Sequence, residues 1–181
     1  MEEAQPDFSG ATEAFETLRA LGFFHKVGPL LQEHRDKLKD TVIWNIEEGM
    51  KRSAVDVARA EGLRTQLFHR MRLFLERYQF FVCPVNQLPP FPVDRPYPTE
   101  IAGTKMGNYI DWMKSCYYIT VTGHPAISVP AGFTGDDPPL PVGIQIVGRH
   151  RDDFGVLQLA HAFEQATGFW RRRPPLAAYN I

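Results

Sequence analysis

Catalysis needs side chains that converge. The stretch that most suggests convergence is TVTGHPAISVPAG, residues 120–132, with His124 at a tight turn and Ser128 between two prolines. Pro125 and Pro130 cannot donate to a sheet ladder, and Gly123 and Gly132 open backbone geometries closed to other residues. The segment is therefore expected to be a short strand with tightly turned ends, with few paired positions. Such ends are where open sheets place ligands. Ser128 lacks the G-x-S-x-G setting of a nucleophile elbow. With Ile127 and Val129 facing the other way, it is expected to pack, buried or half-buried, against a helix. His124 is expected either to look into a cleft or to hydrogen-bond its own loop.

The remaining reactive residue types form no known constellation. The serines are Ser9, Ser53, Ser115 and Ser128, none in a glycine-rich loop, and neither a phosphate-binding G-x-x-x-x-G-K-[ST] nor a G-x-G-x-x-G is present. His25, His34, His69, His124, His150 and His161 show no metal-ligand spacing, so no helical metal site is expected. Cys83 precedes a proline at a strand end. As a catalytic thiol it would need a histidine brought to it by the fold, and it is read as a small buried hydrophobe. His161 shares a helix side with Gln158 and Gln165 and is expected to face solvent.

Composition bounds the rest. The chain has 181 residues, 44% hydrophobic and 23% charged, with a net charge of -1. That suits one globular domain and gives no electrostatic ground for binding nucleic acid or a membrane. No apolar stretch is long enough to span a bilayer, and the acidic N-terminus is unlike a signal peptide. Two cysteines suggest no disulfide scaffold, and a reducing cytoplasmic setting is expected. The run Arg171-Arg172-Arg173 reads as a solvated helix exit.

The elements that would position these residues are legible in outline. A short helix is expected over residues 11–21, and a second, charged helical segment over 30–38 opened by Gly28 and Pro29. Ser53-Ala54-Val55-Asp56 resembles a capping box, and Leu63, Leu67, Met71, Phe74 and Tyr78 follow as one apolar stripe. Phe80-Phe81-Val82 is expected to be a strand covered on both faces. Residues 84–98 carry too many prolines for a helix or central strand and read as an extended loop. Met106, Ile110, Met113 and Tyr117 repeat at helical spacing. Val142, Ile144 and Ile146 alternate as in a strand over residues 140–148. Asp152 or Asp153 can cap a helix over 154–167, with Val156, Leu159, Ala160 and Phe163 inward and Gly168 as its left-handed exit.

In this order and at this spacing, YQFFVCPVNQLPPFPVD, YIDWMKSCYYITVTGHPAISVPAGF, LPVGIQIVGRHRDD and VLQLAHAFEQATG closely resemble the C-terminal portion of the amidase signature family, and the likeness extends upstream through NIEEG at residues 45–49. The resemblance implies an α/β fold, with mixed β-sheet strands flanked by helices. As the C-terminal part of that fold, residues 1–181 would form a single partial domain: helical over 1–78, then strand, proline-rich loop and α/β part over 79–181. It also implies hydrolysis of carboxylic amides by a Ser–cis-Ser–Lys triad with no metal or organic cofactor. The family's lysine and its Gly/Ser-rich signature lie upstream of the matching region, so no residue here inherits a catalytic role, and the chain alone is expected to be inactive. Tyr109, Trp112, Thr122, Gly123 and His124 are the candidate substrate-binding residues. A small amide substrate is expected only if the chain is joined to an N-terminal amidase half, and otherwise self-association. Thr120-Val121-Thr122-Gly123 departs from the family's Asn-Leu-Thr-Gly, Gln79 stands where members often carry Asp, and Met113 stands where the glutamine-binding A-type components of tRNA-dependent amidotransferases carry an aspartate. That departure makes a relative of the amidotransferase component the less favoured branch, and it stands as one alternative. A non-catalytic binding or assembly protein reusing the fold fragment is another, and a hydrolase built anew on His124 and Cys83 a third.

Overall fold

A computed structural model describes residues 2–173. The first half is helical: α1 (Ala11–His34), α2 (Asp40–Met50) and α3 (Ala54–Arg77). α3 begins as the sequence indicates. The Ser53 side chain accepts from the Asp56 N–H while the Asp56 carboxylate accepts from the Ser53 N–H, so two orphan donors at the helix start are satisfied reciprocally. These bonds also hold the Asp56 carboxyl below its usual pKa range.

α1 differs from expectation. It runs unbroken through Gly28 and Pro29 for 24 residues. Proline forfeits one backbone bond there, but the exposed end of α1 continues a helix whose earlier turns are fixed by packing on α2 and α3. A 3-10 turn at Arg35–Lys37 then ends it.

Strand β1 (Phe81–Pro84) follows α3, then the proline-rich loop, a small hairpin of β2 (Glu100–Ile101) and β3 (Thr104–Lys105), and α4 (Lys114–Thr122). Strands β4 (Ala126–Phe133) and β5 (Pro141–Val147) and helix α5 (Asp153–Thr167) complete the described chain. The larger sheet has the order β1-β5-β4, antiparallel throughout, with β5 central. Val82 in β1 is 47% exposed, and the strand alternates half-buried with exposed residues, so the expected two-sided cover is absent. β4 is longer than the two prolines suggested. It passes through Pro130 with a register shift between Pro130 and Gly132, and as an edge strand it can carry a residue that donates no bond.

The segment 106–117 is only partly helical. Asn108 Oδ1 accepts from the N–H groups of Ile110 and Asp111, at 2.8 and 3.2 Å, and Asp111 Oδ2 accepts from the Gly107 N–H at 2.7 Å. These bonds fix a turn, so helical structure starts only at the 3-10 turn Asp111–Met113. α5 matches expectation, with Asp152 accepting from the Gly155 N–H, Val156 and Ala160 buried, and Gly168 leaving at φ 66.

Three apolar clusters join the layers. Ala11, Ala14, Leu67 and Val121 tie α1, α3 and α4, while Met71, Leu75, Ile119 and Val147 tie α3 and α4 to the sheet. Val129, Ile146 and Ala160 bind the sheet to α5. Each fully buried Leu, Met or Ile contributes about 1.5–3 kcal/mol relative to exposure. Among the described residues no helix is long and apolar enough to cross a membrane.

Candidate functional site

The candidate residues fall into two places. The first is the turn after α4. Gly123 adopts φ 69 and closes the helix, while the buried Thr122 donates from Oγ1 to the Ile119 carbonyl at 2.8 Å. His124 is 8% exposed and bonds its own turn, with Nδ1 3.0 Å from the Thr122 carbonyl. A carbonyl only accepts, so Nδ1 carries the proton and Nε2 presents a lone pair. The ring packs on Phe68 at 5.0 Å, with His150 at 6.1 Å.

Burial pushes the His124 pKa down. The Thr122 carbonyl opposes that shift and His150 adds to it. The folded value thus lies below the unfolded value of about 6.5, and the unfolded chain binds more protons between the two. The contribution to stability is full above about pH 6.5 and is lost as pH falls through the folded value. Urea midpoints taken from pH 7 down to 5 should fall more steeply for the native chain than for His124→Gln.

The second place gathers the segments NIEEG and YIDWM. Asn45, 1% exposed on α2, donates from its amide to the Thr41 carbonyl at 2.5 Å and to the Tyr109 hydroxyl, and accepts from Arg19 on α1. Arg19 also donates to the Tyr109 hydroxyl at 2.7 Å. Trp44 meets the Tyr109 ring edge-on at 5.7 Å. Beside this network lies a polar cleft of about 280 Å³ bordered by Glu16, Trp44, Asn45, Glu48, Arg52 and Asn108. Trp112, half-buried, sits edge-on to Phe91 of the proline-rich loop at 5.4 Å. Tyr109 is therefore held by α1 and α2, and His124 by α3 and its own turn. Arg19 and Asn45 escaped the sequence reading because 90 and 64 residues separate them from Tyr109. The available signal was that Asn45 opens the NIEEG stretch included in the family likeness.

Ser128 is exposed on β4, not buried against a helix, because the helix-facing positions of that strand belong to Ile127 and Val129. Burial pushes the Cys83 thiol up to about 11, with Gln145 and Cys116 as the other groups acting on it. A thiol so raised is a poor nucleophile near neutral pH. His161 is exposed, as expected.

The family profile described as Amidase matches residues 22–157. An acylamidase of Rhodococcus erythropolis is 31% identical over 175 residues, covering 95% of this chain and 36% of that protein. The A-type component of a glutamyl-tRNA(Gln) amidotransferase of Geobacillus stearothermophilus is 36% identical over 118 residues, covering 65% of this chain and 22% of that protein. Among solved structures, a bacterial aryl acylamidase of the amidase signature enzymes superposes with a TM-score of 0.77 at 24% identity, over 93% of this chain and 37% of the other. The 6-aminohexanoate cyclic dimer hydrolase superposes with a TM-score of 0.78 at 18% identity, over 97% and 39%. These likenesses show the amidase signature fold in part, an α/β arrangement of which this chain spans 36% or less of the two curated relatives. With the profile running over most of the chain, from within α1 to the start of α5, the chain belongs to the amidase family.

Proposed function

We propose that this chain is the C-terminal part of a carboxylic-amide hydrolase. It completes the sheet and builds a wall of the acyl side of the substrate pocket, while the Ser–cis-Ser–Lys groups come from residues outside these 181. The observation that carries this reading is the employment of the serines. Ser9 bonds Asp7, Ser53 caps α3, Ser115 donates to the Val85 carbonyl at 2.7 Å and Ser128 faces outward from β4. The lysines with side-chain partners among the described residues pair with carboxylates, Lys51 with Glu48 and Lys114 with Asp111. Among the described residues no serine hydroxyl bonds a lysine or histidine, and the two that touch a carboxylate, Ser9 with Asp7 and Ser53 with Asp56, lie at an exposed turn and a helix cap, outside any cleft built for attack. Two free cysteines accord with a cytoplasmic setting. The acylamidase alignment reaches 95% of the chain and the amidotransferase alignment 65%, which favours the hydrolase branch.

The test is turnover. The purified 181-residue chain is expected to release no product from aryl or alkyl amides, and co-expression with an amidase N-terminal half is expected to restore release. Robust turnover by the chain alone would overturn the reading. In isolation the chain should self-associate. Among the described residues β1 and β4 each pair on one side only, and Phe80, Phe81, Val82, Ile144, Leu159 and Phe163 border an apolar hollow of about 660 Å³. Light scattering on the same preparation should give a mass above that of one chain, and a monodisperse monomer would contradict it.

A further inference from the structure

We infer that residues 2–9 form a strap that closes the groove between β1 and α4 and lifts off it without unfolding the body, so that ion pairing at Arg70 and Arg77 sets how much of that apolar groove is exposed. The inference goes beyond the pocket-wall reading above and does not rest on it.

The way the segment is held carries it. Residues 2–8 belong to no helix or strand, yet they alternate as a strand does. Ala4 and Phe8 are half-buried and Pro6 is buried, while Glu3, Gln5, Asp7 and Ser9 are exposed. The inward side holds by one plug. The Phe8 ring lies 6.3 Å from that of Phe81 in β1 and 5.4 Å from that of Tyr118 in α4, and it packs against both clusters that join α3 to α4. No ladder backs this plug. Among the described residues the one backbone–backbone bond of residues 2–9 is local, from the Ala11 N–H to the Phe8 carbonyl at 3.0 Å. The polar anchors are side chains of α3. Arg70 Nη1 donates to the Asp7 carboxylate at 2.9 Å, to the Asp7 carbonyl at 3.2 Å and to the Ser9 carbonyl at 3.0 Å, and Arg77 pairs with Glu2 at 3.0 Å.

The fit around the plug is loose. Hollows of about 490 and 510 Å³ flank Phe8, the first shared with Glu16 and Arg52, the second with Phe81, Cys83 and Ser115. Protein interiors are close-packed, so a segment bordered by such hollows forfeits many of the contacts that would fix it. The carboxylates that tie it down face water, with the Asp7 side chain 62% exposed and that of Glu2 56%. Exposed ion pairs are weak, and salt screens them. A segment with one aromatic plug, no ladder and screened pairs opens at a lower free energy than the body, whose helices and sheet are tied by three buried clusters. Opening removes one wall of the hollow at Cys83 and bares Phe81, Tyr118 and Ile119.

The test is alkylation of the 181-residue chain by iodoacetamide, with Cys83 and Cys116 followed separately by peptide mass. Cys116 is exposed and does not border the hollow, so it is the internal control. Arg70→Gln withdraws the three bonds to residues 7 and 9 and is expected to speed Cys83 by about three- to tenfold, with Cys116 unchanged. Raising salt from about 0.1 M to about 1 M should speed Cys83 relative to Cys116 in the native chain, and by less in Arg70→Gln. Glu47→Gln removes a comparable exposed pair, to Arg35 at 2.9 Å on another part of the body, and should leave Cys83 unchanged. Lifting a strap exposes little surface, so the native Cys83 rate should be nearly flat in low urea. Three results overturn the inference: a native Cys83 rate indifferent to salt, one that climbs with urea as steeply as global unfolding, or an Arg70→Gln chain in which Cys83 reacts no faster than in Glu47→Gln. The salt and urea measurements use the native chain, so they decide the matter even where Arg70→Gln fails to fold. None of these readouts depends on turnover, so restoration of activity can succeed while the strap fails, and the reverse.

Discussion

Replacing Gly49 by alanine is expected to lower the urea midpoint by about 1 M and to detach Asn45 from Tyr109. Gly49 lies where α2 crosses α1. A Cβ built there would fall 2.3 Å from the Ala20 carbonyl oxygen, 2.6 Å from Phe24 Cβ and 2.9 Å from the Ala20 carbonyl carbon. Two of those atoms are backbone and the third is fixed to it, so no rotamer change makes room, and the helices must separate. Overpacking of this kind costs about 1–3 kcal/mol, and a urea slope of about 1–3 kcal/mol/M converts that to the stated shift. Asn45 and Gly49 are one helical turn apart and both buried on α2, so displacing Gly49 moves Asn45 with it. Valine at the same place should cost more. Gly62→Ala on α3 is the internal control. A Cβ there meets nothing within 4 Å, and the helix should gain about 0.5–1 kcal/mol from the lost freedom of the unfolded chain. If Gly49→Ala is as benign as Gly62→Ala, the close crossing of α1 and α2 is wrong, and so is the geometry that brings Arg19 to Asn45.

What the sequence disclosed follows the range of the forces involved. The Ser53 box, the Asp152 cap and the Gly168 exit are contacts within a few residues, and residue type and order suffice to read them. Pro29 misled because a local preference against helix interiors was outweighed by packing that its neighbours do not encode. Pro130 misled for the related reason that β4 is an edge strand, where a missing donor costs little, and edges are invisible before the sheet is assembled. The helical spacing of Met106, Ile110, Met113 and Tyr117 was overridden by one side chain, Asn108, whose carbonyl oxygen ties the turn that precedes the helix. The candidate site was legible only at Tyr109 and the TGHP turn, through family likeness. Arg19 and Asn45 join it by tertiary contact: Asn45 opens the NIEEG stretch that the likeness reached, but nothing local ties it to Tyr109, and Arg19 carries no mark of its place.

Replacing Gln145 by leucine should be the most damaging change in the sheet. Gln145 is central on β5 and 5% exposed, and its Nε2 donates to the Pro84 carbonyl at 3.1 Å and to the Ser115 carbonyl at 2.8 Å. One amide thus binds the end of β1 and the start of α4 to the middle strand. Ser115 adds its own bond to Val85, and the Lys114 N–H donates to the Gln87 side chain at 2.6 Å, so the proline-rich loop and the helix leading to His124 share one anchor. Leucine fills similar volume but withdraws a donor from each of two carbonyls, each loss costing about 1–3 kcal/mol, for a total of about 2–6 kcal/mol by urea melting. Ser115→Ala removes one bond at the rim and should cost about 1 kcal/mol. Glutamate at 145 separates the electrostatic cause from the steric one. Ionised, it turns the oxygen that replaces Nε2 toward two carbonyl oxygens in a buried place, while protonated it recovers one donor. Its folded pKa must therefore exceed the unfolded value of about 4.3. Its stability is highest below that value and is lost as pH rises through the folded one, so Gln145→Glu should be worst at pH 7 and draw closer to the native chain near pH 4. A Gln145→Glu chain equally weakened at both pH values would mean that shape at this position matters and donation does not, and the clasp between β5, β1 and α4 would have to be abandoned.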